Sequence, residues 1–221
     1  MIFARSPEEE ALHKNWVSGT YEANVEFSRL LTAHTLTIAS ESGLPFFHFD
    51  SLLQEGNNFG DRLSQSCQKV FSEGYTHVLV IGNDTTQLTT SDLIQAASLQ
   101  QRGALVLGPS TDGGVYLLGI SSSQFQQKIL DQVRWKSQRV MDDLLRNAEN
   151  SGIETVFLSW KNDLDDSTDF GIFIKSGESK SRLGKRLIRL THTSPSIEGE
   201  KAVFHLPVYQ QVLSLRGPPS T

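Results

Sequence analysis

Apolar positions along the 221-residue chain alternate between short unbroken runs and helical repeats. The run Thr76-His77-Val78-Leu79-Val80-Ile81-Gly82 is rich in β-branched side chains and reads as a strand buried on both faces, hence a central one. Residues 2–5, 45–49, 104–107, 115–120 and 153–158 read as further strands, the second of them aromatic. Between them the period becomes helical. Val25, Phe27, Leu30, Leu31 and Ile38 share a face with His34 and Thr35 and predict a helix over 21–41 that Gly43 stops. Phe59, Leu63, Cys67 and Val70 predict another over 58–72, ending at Gly74. Thr90 or Ser91 is expected to cap a helix running to Gln101, and a further helix spans about 137–150. Strands alternating with helices predict an α/β fold, a three-layer sandwich with helices on both faces of a mainly parallel sheet.

Beyond Phe170 the period weakens, so residues 1–170 read as the domain and 171–221 as a C-terminal extension. Within the extension, Lys180-Ser181-Arg182-Leu183-Gly184-Lys185-Arg186-Leu187-Ile188-Arg189-Leu190 is basic and amphipathic. Its pattern is that of a solvated face, with membrane or partner binding as the alternative. The last five residues are expected to fray.

Composition narrows the function classes. Hydrophobic residues at 38% and charged residues at 20% suffice for a continuous core. A net charge of -5 offers no phosphate-neutralising excess, which disfavours a nucleic-acid partner. A single cysteine, Cys67, on an apolar helix position, excludes an internal disulfide and a Cys-rich zinc site and fits a reducing compartment, the cytoplasm by default. The start turns polar by Ser6-Pro7-Glu8, and no apolar run approaches the roughly 20 residues of a membrane span, so neither a signal peptide nor an anchor is expected.

Three loops carry candidate chemistry. Asp84, in Gly82-Asn83-Asp84-Thr85-Thr86, follows the central strand, at the sheet end where open α/β folds bind ligands. It either holds a hard cation or caps the next turn. Gly108-Pro109 with Asp112-Gly113-Gly114 is either a plain hairpin or a loop whose backbone approaches a ligand. Asp163-Leu164-Asp165-Asp166-Ser167-Thr168-Asp169 crowds four carboxylates; in an extended stretch Asp163 and Asp165 face the same side. Either a cation relieves the repulsion, or the loop is exposed and caps a helix through Ser167 or Thr168. His34 reads as a helix-face residue, Cys67 as an inert thiol, and Trp135 as a core aromatic with base stacking as the alternative.

Taken in order, Gln54-Glu55-Gly56-Asn57-Asn58-Phe59-Gly60-Asp61-Arg62, Val80-Ile81-Gly82-Asn83-Asp84, Leu107-Gly108-Pro109-Ser110-Thr111-Asp112-Gly113-Gly114-Val115-Tyr116, Trp135-Lys136-Ser137 and the acidic segment resemble a bacterial family over about 44–170. That family is known as a domain of unknown function and as radical-SAM/selenodomain-associated transferases, GT-A-like relatives of nucleotide-diphospho-sugar transferases. The resemblance implies a Rossmann-like GT-A sheet, a nucleotide-sugar donor with an unidentified acceptor, and a divalent cation, Mg²⁺ or Mn²⁺, held by Asp84, Asp163 and Asp165. It further implies that Gln54, Gly60 and Arg62 shape the nucleotide region and that the Asp112-Gly113-Gly114 loop lines the donor or acceptor pocket; within that loop Asp112 is the candidate catalytic carboxylate on the acceptor side. The sequence departs from the family at its first loop, where Ser6-Pro7-Glu8-Glu9-Glu10 replaces a glycine-containing loop with a Lys-Thr-Arg block, and only His13 and Lys14 are basic nearby. Three readings follow: a metal-dependent glycosyltransferase, a nucleotidyltransferase on the same sheet, or a noncatalytic nucleotide-binding protein, which the acidic first loop favours.

Overall fold

The computed structural model describes residues 1–17 and 20–192; the frayed end expected at 217–221 lies outside the described residues. Six strands form one sheet in the order β2-β1-β3-β5-β4-β6, with β1 Ile2–Phe3, β2 His48–Phe49, β3 His77–Ile81, β4 Leu105–Pro109, β5 Val115–Ser121 and β6 Thr155–Phe157. Five strands point one way. Only β5 is antiparallel, paired with β3 on one side and β4 on the other, so the 108–114 glycine loop is a hairpin connection, as one of the two sequence readings has it.

Alternation along the strands divides the core into two faces. Phe3, Val78, Val80, Leu105, Leu107, Leu118 and Ile120 point to one side, where α3 (Phe59–Ser72) and α6 (Val140–Asn150) cover them. Ile2, Ile81, Val106 and Leu117 point to the other, under α2 (Tyr21–Glu41) and α4 (Thr90–Gln100). That is the expected three-layer α/β sandwich. The α2 period is as predicted. The cap of α4 is Thr89, one residue earlier than expected, because its hydroxyl accepts from Asp92 N while the Asp92 carboxylate accepts from Thr89 N, a reciprocal box.

Among the described residues four α-helices and a 3₁₀ turn are additional to those the period suggests. Pro7–His13 forms α1; Ser122–Gln126 forms the short α5; Ser167–Lys175 forms α7, followed by a 3₁₀ turn and α8, Arg182–His192. Asp166, and neither Ser167 nor Thr168, caps α7, in a box with Asp169. A third cluster joins α2 to the segment after α1, to α7 and to α8. Trp16, Phe27, Leu164, Phe170, Phe173 and Leu187 are buried together. The basic stretch therefore has two sides: Leu187 is fully buried in this cluster, while Arg182 and Lys185 face solvent. Among the described residues no helix is long and apolar enough to cross a membrane.

Candidate functional site

Because five strands run in parallel, the loops after β1, β2, β3, β4 and β6 gather over one edge of the sheet. They surround a cleft of about 630 Å³ lined by residues from all five loops, among them Arg5, Gln54, Asp84, Asp112 and Asp163. Two segments far apart in the chain are tied together there. Leu164 N donates to Asp84 O at 3.0 Å, and Thr85 Oγ1 donates to the Asp163 carboxylate. With the Leu164 side chain buried in the third cluster, its neighbours Asp163 and Asp165 both line the cleft, as alternation requires.

Asp84 and Asp165, with Glu10, close around a lysine. The Lys14 ammonium lies 2.7 Å from Asp84 Oδ2, 2.6 Å from Asp165 Oδ1 and 3.1 Å from Glu10 Oε1. Its charge also lies 5.9 Å from the Trp16 ring centroid. Burial alone would lower its pKa, but Asp84, Glu10 and Asp165 hold it far above the lysine range. Burial opposes ionisation of Asp84 too, and Lys14 overcomes it and keeps that carboxyl below its ordinary value. Burial and then Asp84 push the Asp163 carboxyl up to about 7.

That last shift sets a pH dependence. The folded state favours protonated Asp163, so from roughly pH 4, the ordinary carboxylate value, to about 7 it binds more protons than the unfolded chain. This contribution to stability is present at low pH and lost as pH rises through that window. Asp163→Asn, which cannot ionise, is expected to melt above wild type at pH 8, with the gap closing towards pH 4. Melting curves across pH check this, and a gap that does not vary with pH contradicts it.

The first loop differs from its reading as a repulsive acidic patch. Ser6 accepts from Glu9 N, Pro7 takes the first helical position, and Glu8 to Glu10 fall in the first turn of α1, where the helix dipole favours them. Each is paired: Glu8 with Arg29 at 2.5 Å, Glu9 with Arg5 at 3.7 Å, and Glu10 with Arg5 at 2.8 Å and with Lys14. The helix ends as Lys14 turns extended, and the side chain enters the carboxylates.

The remaining candidates divide between framework and lining. Gln54 donates both amide hydrogens to backbone, to Ala4 O at 2.7 Å and Phe49 O at 2.9 Å, and so clamps the ends of β1 and β2 while lining the cleft. Gly60 admits Trp135: a β-carbon there would lie 2.8 Å from the indole. Gly113 has φ +90°, and a β-carbon would collide with Gln138 O. Gly114 N donates to Asp112 Oδ1 at 2.8 Å, which fixes the Asp112 carboxylate at the cleft wall. Arg62 lines the cleft, half-buried, and has no ion pair among the described residues.

Lys136, Arg5 and Lys14 were not singled out by sequence reasoning as site residues. Lys136 also has no ion pair among the described residues and sits 5.9 Å over the Phe59 ring. Its backbone is left-handed, φ 61°, uncommon for a residue with a β-carbon. Burial, then Arg5 and Arg62, lower its pKa while Glu10 and Glu9 oppose them, and all three cations line the cleft. Asp143, buried beneath the loop, accepts from Arg134 N, Nε and Nη2 and from Arg146 Nη2, anchoring the chain just before Trp135. Trp135 packs on the first core face, as the first of its two readings has it, and its half-buried side chain also lines the cleft. His34 is half-buried on α2, and Cys67 is buried with its thiol raised to about 12 by burial, an inert state.

The three carboxylates thus line one cleft, but Asp84 and Asp165 pair with an ammonium while Asp163 accepts from Thr85. Among the described residues no group of three or more histidine, cysteine or acidic side chains is disposed to hold a metal ion. With Asp84 and Asp165 bound to Lys14 and Asp163 accepting from Thr85, the donor set does not fit the implied Mg²⁺ or Mn²⁺ as arranged.

A family model described as "Uncharacterized protein conserved in bacteria (DUF2064)" matches residues 31–137, a span that includes Gln54, Arg62, Asp84, Asp112 and Lys136 and stops short of the acidic segment at 163–169. No curated protein matches significantly. Among solved structures, a "putative nucleotide-diphospho-sugar transferase" from Desulfovibrio desulfuricans G20 is similar, with a TM-score of 0.69 at 22% identity, covering 86% of this chain and 96% of its own. At that identity the likeness establishes the fold, the Rossmann-like α/β sheet of such a transferase.

Proposed function

We propose that the cleft binds a nucleotide-diphospho-sugar and that the chain is a glycosyltransferase-like protein. The observation that carries this reading is the pair of cations without ion pairs among the described residues, Arg62 and Lys136, at the carboxyl edge of the sheet beside the aromatic rings of Phe59 and Trp135. Like charges near one another without direct ion pairs among the described residues repel, and a dianionic phosphate group relieves that cost while the guanidinium plane offers paired donors to it. The rings suit the flat face of a base. The fold shared with the Desulfovibrio protein agrees with this ligand class.

In the proposed reaction the bond between the anomeric carbon and the β-phosphate oxygen breaks, and an acceptor hydroxyl oxygen bonds to that carbon and gives up its proton to the Asp112 carboxylate, which releases it to solvent. Arg62 and Lys136 stabilise the charge that builds on the departing diphosphate. Asp112, held by Gly114 N at the cleft wall, orients the acceptor hydroxyl. The pairing of Glu8 to Glu10 removes the reason for preferring a noncatalytic protein.

Calorimetric titration with a panel of nucleotide sugars tests the reading. A diphospho-sugar is expected to bind at least tenfold more tightly than the matching monophosphate. Triphosphate binding with pyrophosphate release instead supports nucleotidyl transfer, and failure of every nucleotide to bind refutes the proposal.

A further inference from the structure

We propose that the ammonium of Lys14 is the resident cation of this site, standing where the carboxylates would otherwise gather a divalent ion, so that the cleft takes its ligand without Mg²⁺ or Mn²⁺. An ammonium has three hydrogens to donate. Glu10, Asp84 and Asp165 supply three carboxylate oxygens within 3.1 Å, so its donor capacity is matched by acceptors. The lysine side chain is only 16% exposed.

The lysine is held in place by structure on every side. The i,i+4 spacing from Glu10 to Lys14 is set by α1, and Arg5 grips the other oxygen of Glu10 at 2.8 Å. Beyond Lys14, Trp16 is buried and donates its indole N–H to Leu164 O, between Asp163 and Asp165. The segment that carries the cation is thereby bonded to the segment that carries its counter-ions. A divalent ion would have to evict a buried ammonium from three close carboxylates and leave it without partners, a costly exchange.

The inference has a consequence that a merely structural lysine lacks: removal of the ammonium creates a metal site. Glu10, Asp84 and Asp165 would then lose the ammonium between them, with Arg5 still on the far oxygen of Glu10, and three carboxylates so relieved can draw together on Mn²⁺. The independence of ligand binding from metal rests on the diphosphate reading above; the metal titration contains no nucleotide and stands apart from it.

The test is titration of the full chain with Mn²⁺ alone, followed by the loss of its free-ion paramagnetic resonance signal. Wild type is expected to leave that signal unchanged at protein concentrations of tens of micromolar. Lys14→Gln, checked for folding by circular dichroism, is expected to bind one Mn²⁺ at least tenfold more tightly than wild type, and Asp84→Asn in that background to abolish the gain. Stoichiometric Mn²⁺ binding by wild type overturns the proposal, as does a folded Lys14→Gln that binds none. If Lys14→Gln fails to fold, the wild-type titration decides: an unchanged signal supports the proposal and tight binding overturns it. Where a nucleoside diphosphate binds, EDTA is expected to change its Kd by less than twofold, whereas a tenfold loss in EDTA contradicts metal independence and leaves the diphosphate reading intact.

Discussion

Replacing Arg62 and Lys136 together by alanine is expected to weaken nucleoside diphosphate binding by about 100-fold or more. Hydrogen bonds to charged groups contribute about 1.5–3 kcal/mol each, which is roughly ten- to hundredfold in affinity per residue. The fold should tolerate the change, because neither side chain has an ion pair among the described residues, one is half-buried and the other exposed. Thermal melting should therefore move little while the dissociation constant moves a great deal. Each single variant should lose part of the effect, and binding should weaken with salt as exposed charges are screened. It should also weaken at alkaline pH sooner than for an ordinary lysine, since the pKa of Lys136 is lowered and a cation with a lowered pKa loses its charge at lower pH. A double variant that binds as wild type does would remove these residues from the site.

Phe27→Ala should produce the largest loss of stability, about 3–5 kcal/mol, the range for truncating a buried phenylalanine. Phe27 is fully buried on α2, stacked on Trp16 with ring centroids 4.9 Å apart and edge-on to Phe170 at 5.0 Å. Its removal opens a cavity where α2, the segment after α1, and α7 meet, and partial collapse decides where in the range the loss falls. Denaturant titration with an unchanged m-value measures it. The same cluster holds Trp16 and Leu164, the neighbours of Lys14, Asp163 and Asp165, so diphosphate binding should weaken as well. Phe27→Leu keeps much of the volume and should lose less than the alanine variant. A loss below about 1 kcal/mol for Phe27→Ala would show that the third cluster is not a structural unit.

The elements legible in the sequence are those in which one period dominates. The α2 and α3 repeats and the β3 run each commit many residues to one face, and their bounds follow. The candidate carboxylates were legible for a related reason: a strand end or an alternating acidic stretch marks Asp84, Asp163 and Asp165 locally. Their partner was not. Lys14 lies 70 residues from Asp84 along the chain, and no local pattern announces that pairing. A signal for α1 was nonetheless present. Serine, then proline, then acidic residues is a helix start, and Glu10 with Lys14 is an i,i+4 pair, but three successive glutamates invite a reading by charge. The caps at Thr89 and Asp166 were missed for a similar reason: adjacent residues of the same capping chemistry compete, and only the reciprocal bonds to Asp92 and Asp169 select between them. In α8 the basic residues drew attention from Leu187, which tertiary packing on α2 buries.

The crystal structure of the complex with a nucleoside diphosphate tests the central claim most directly. Phosphate oxygens are expected within about 4 Å of both the Arg62 guanidinium and the Lys136 ammonium, with the base against Trp135 or Phe59. Diphosphate bound away from both cations, or an empty cleft at saturating ligand, would contradict the account.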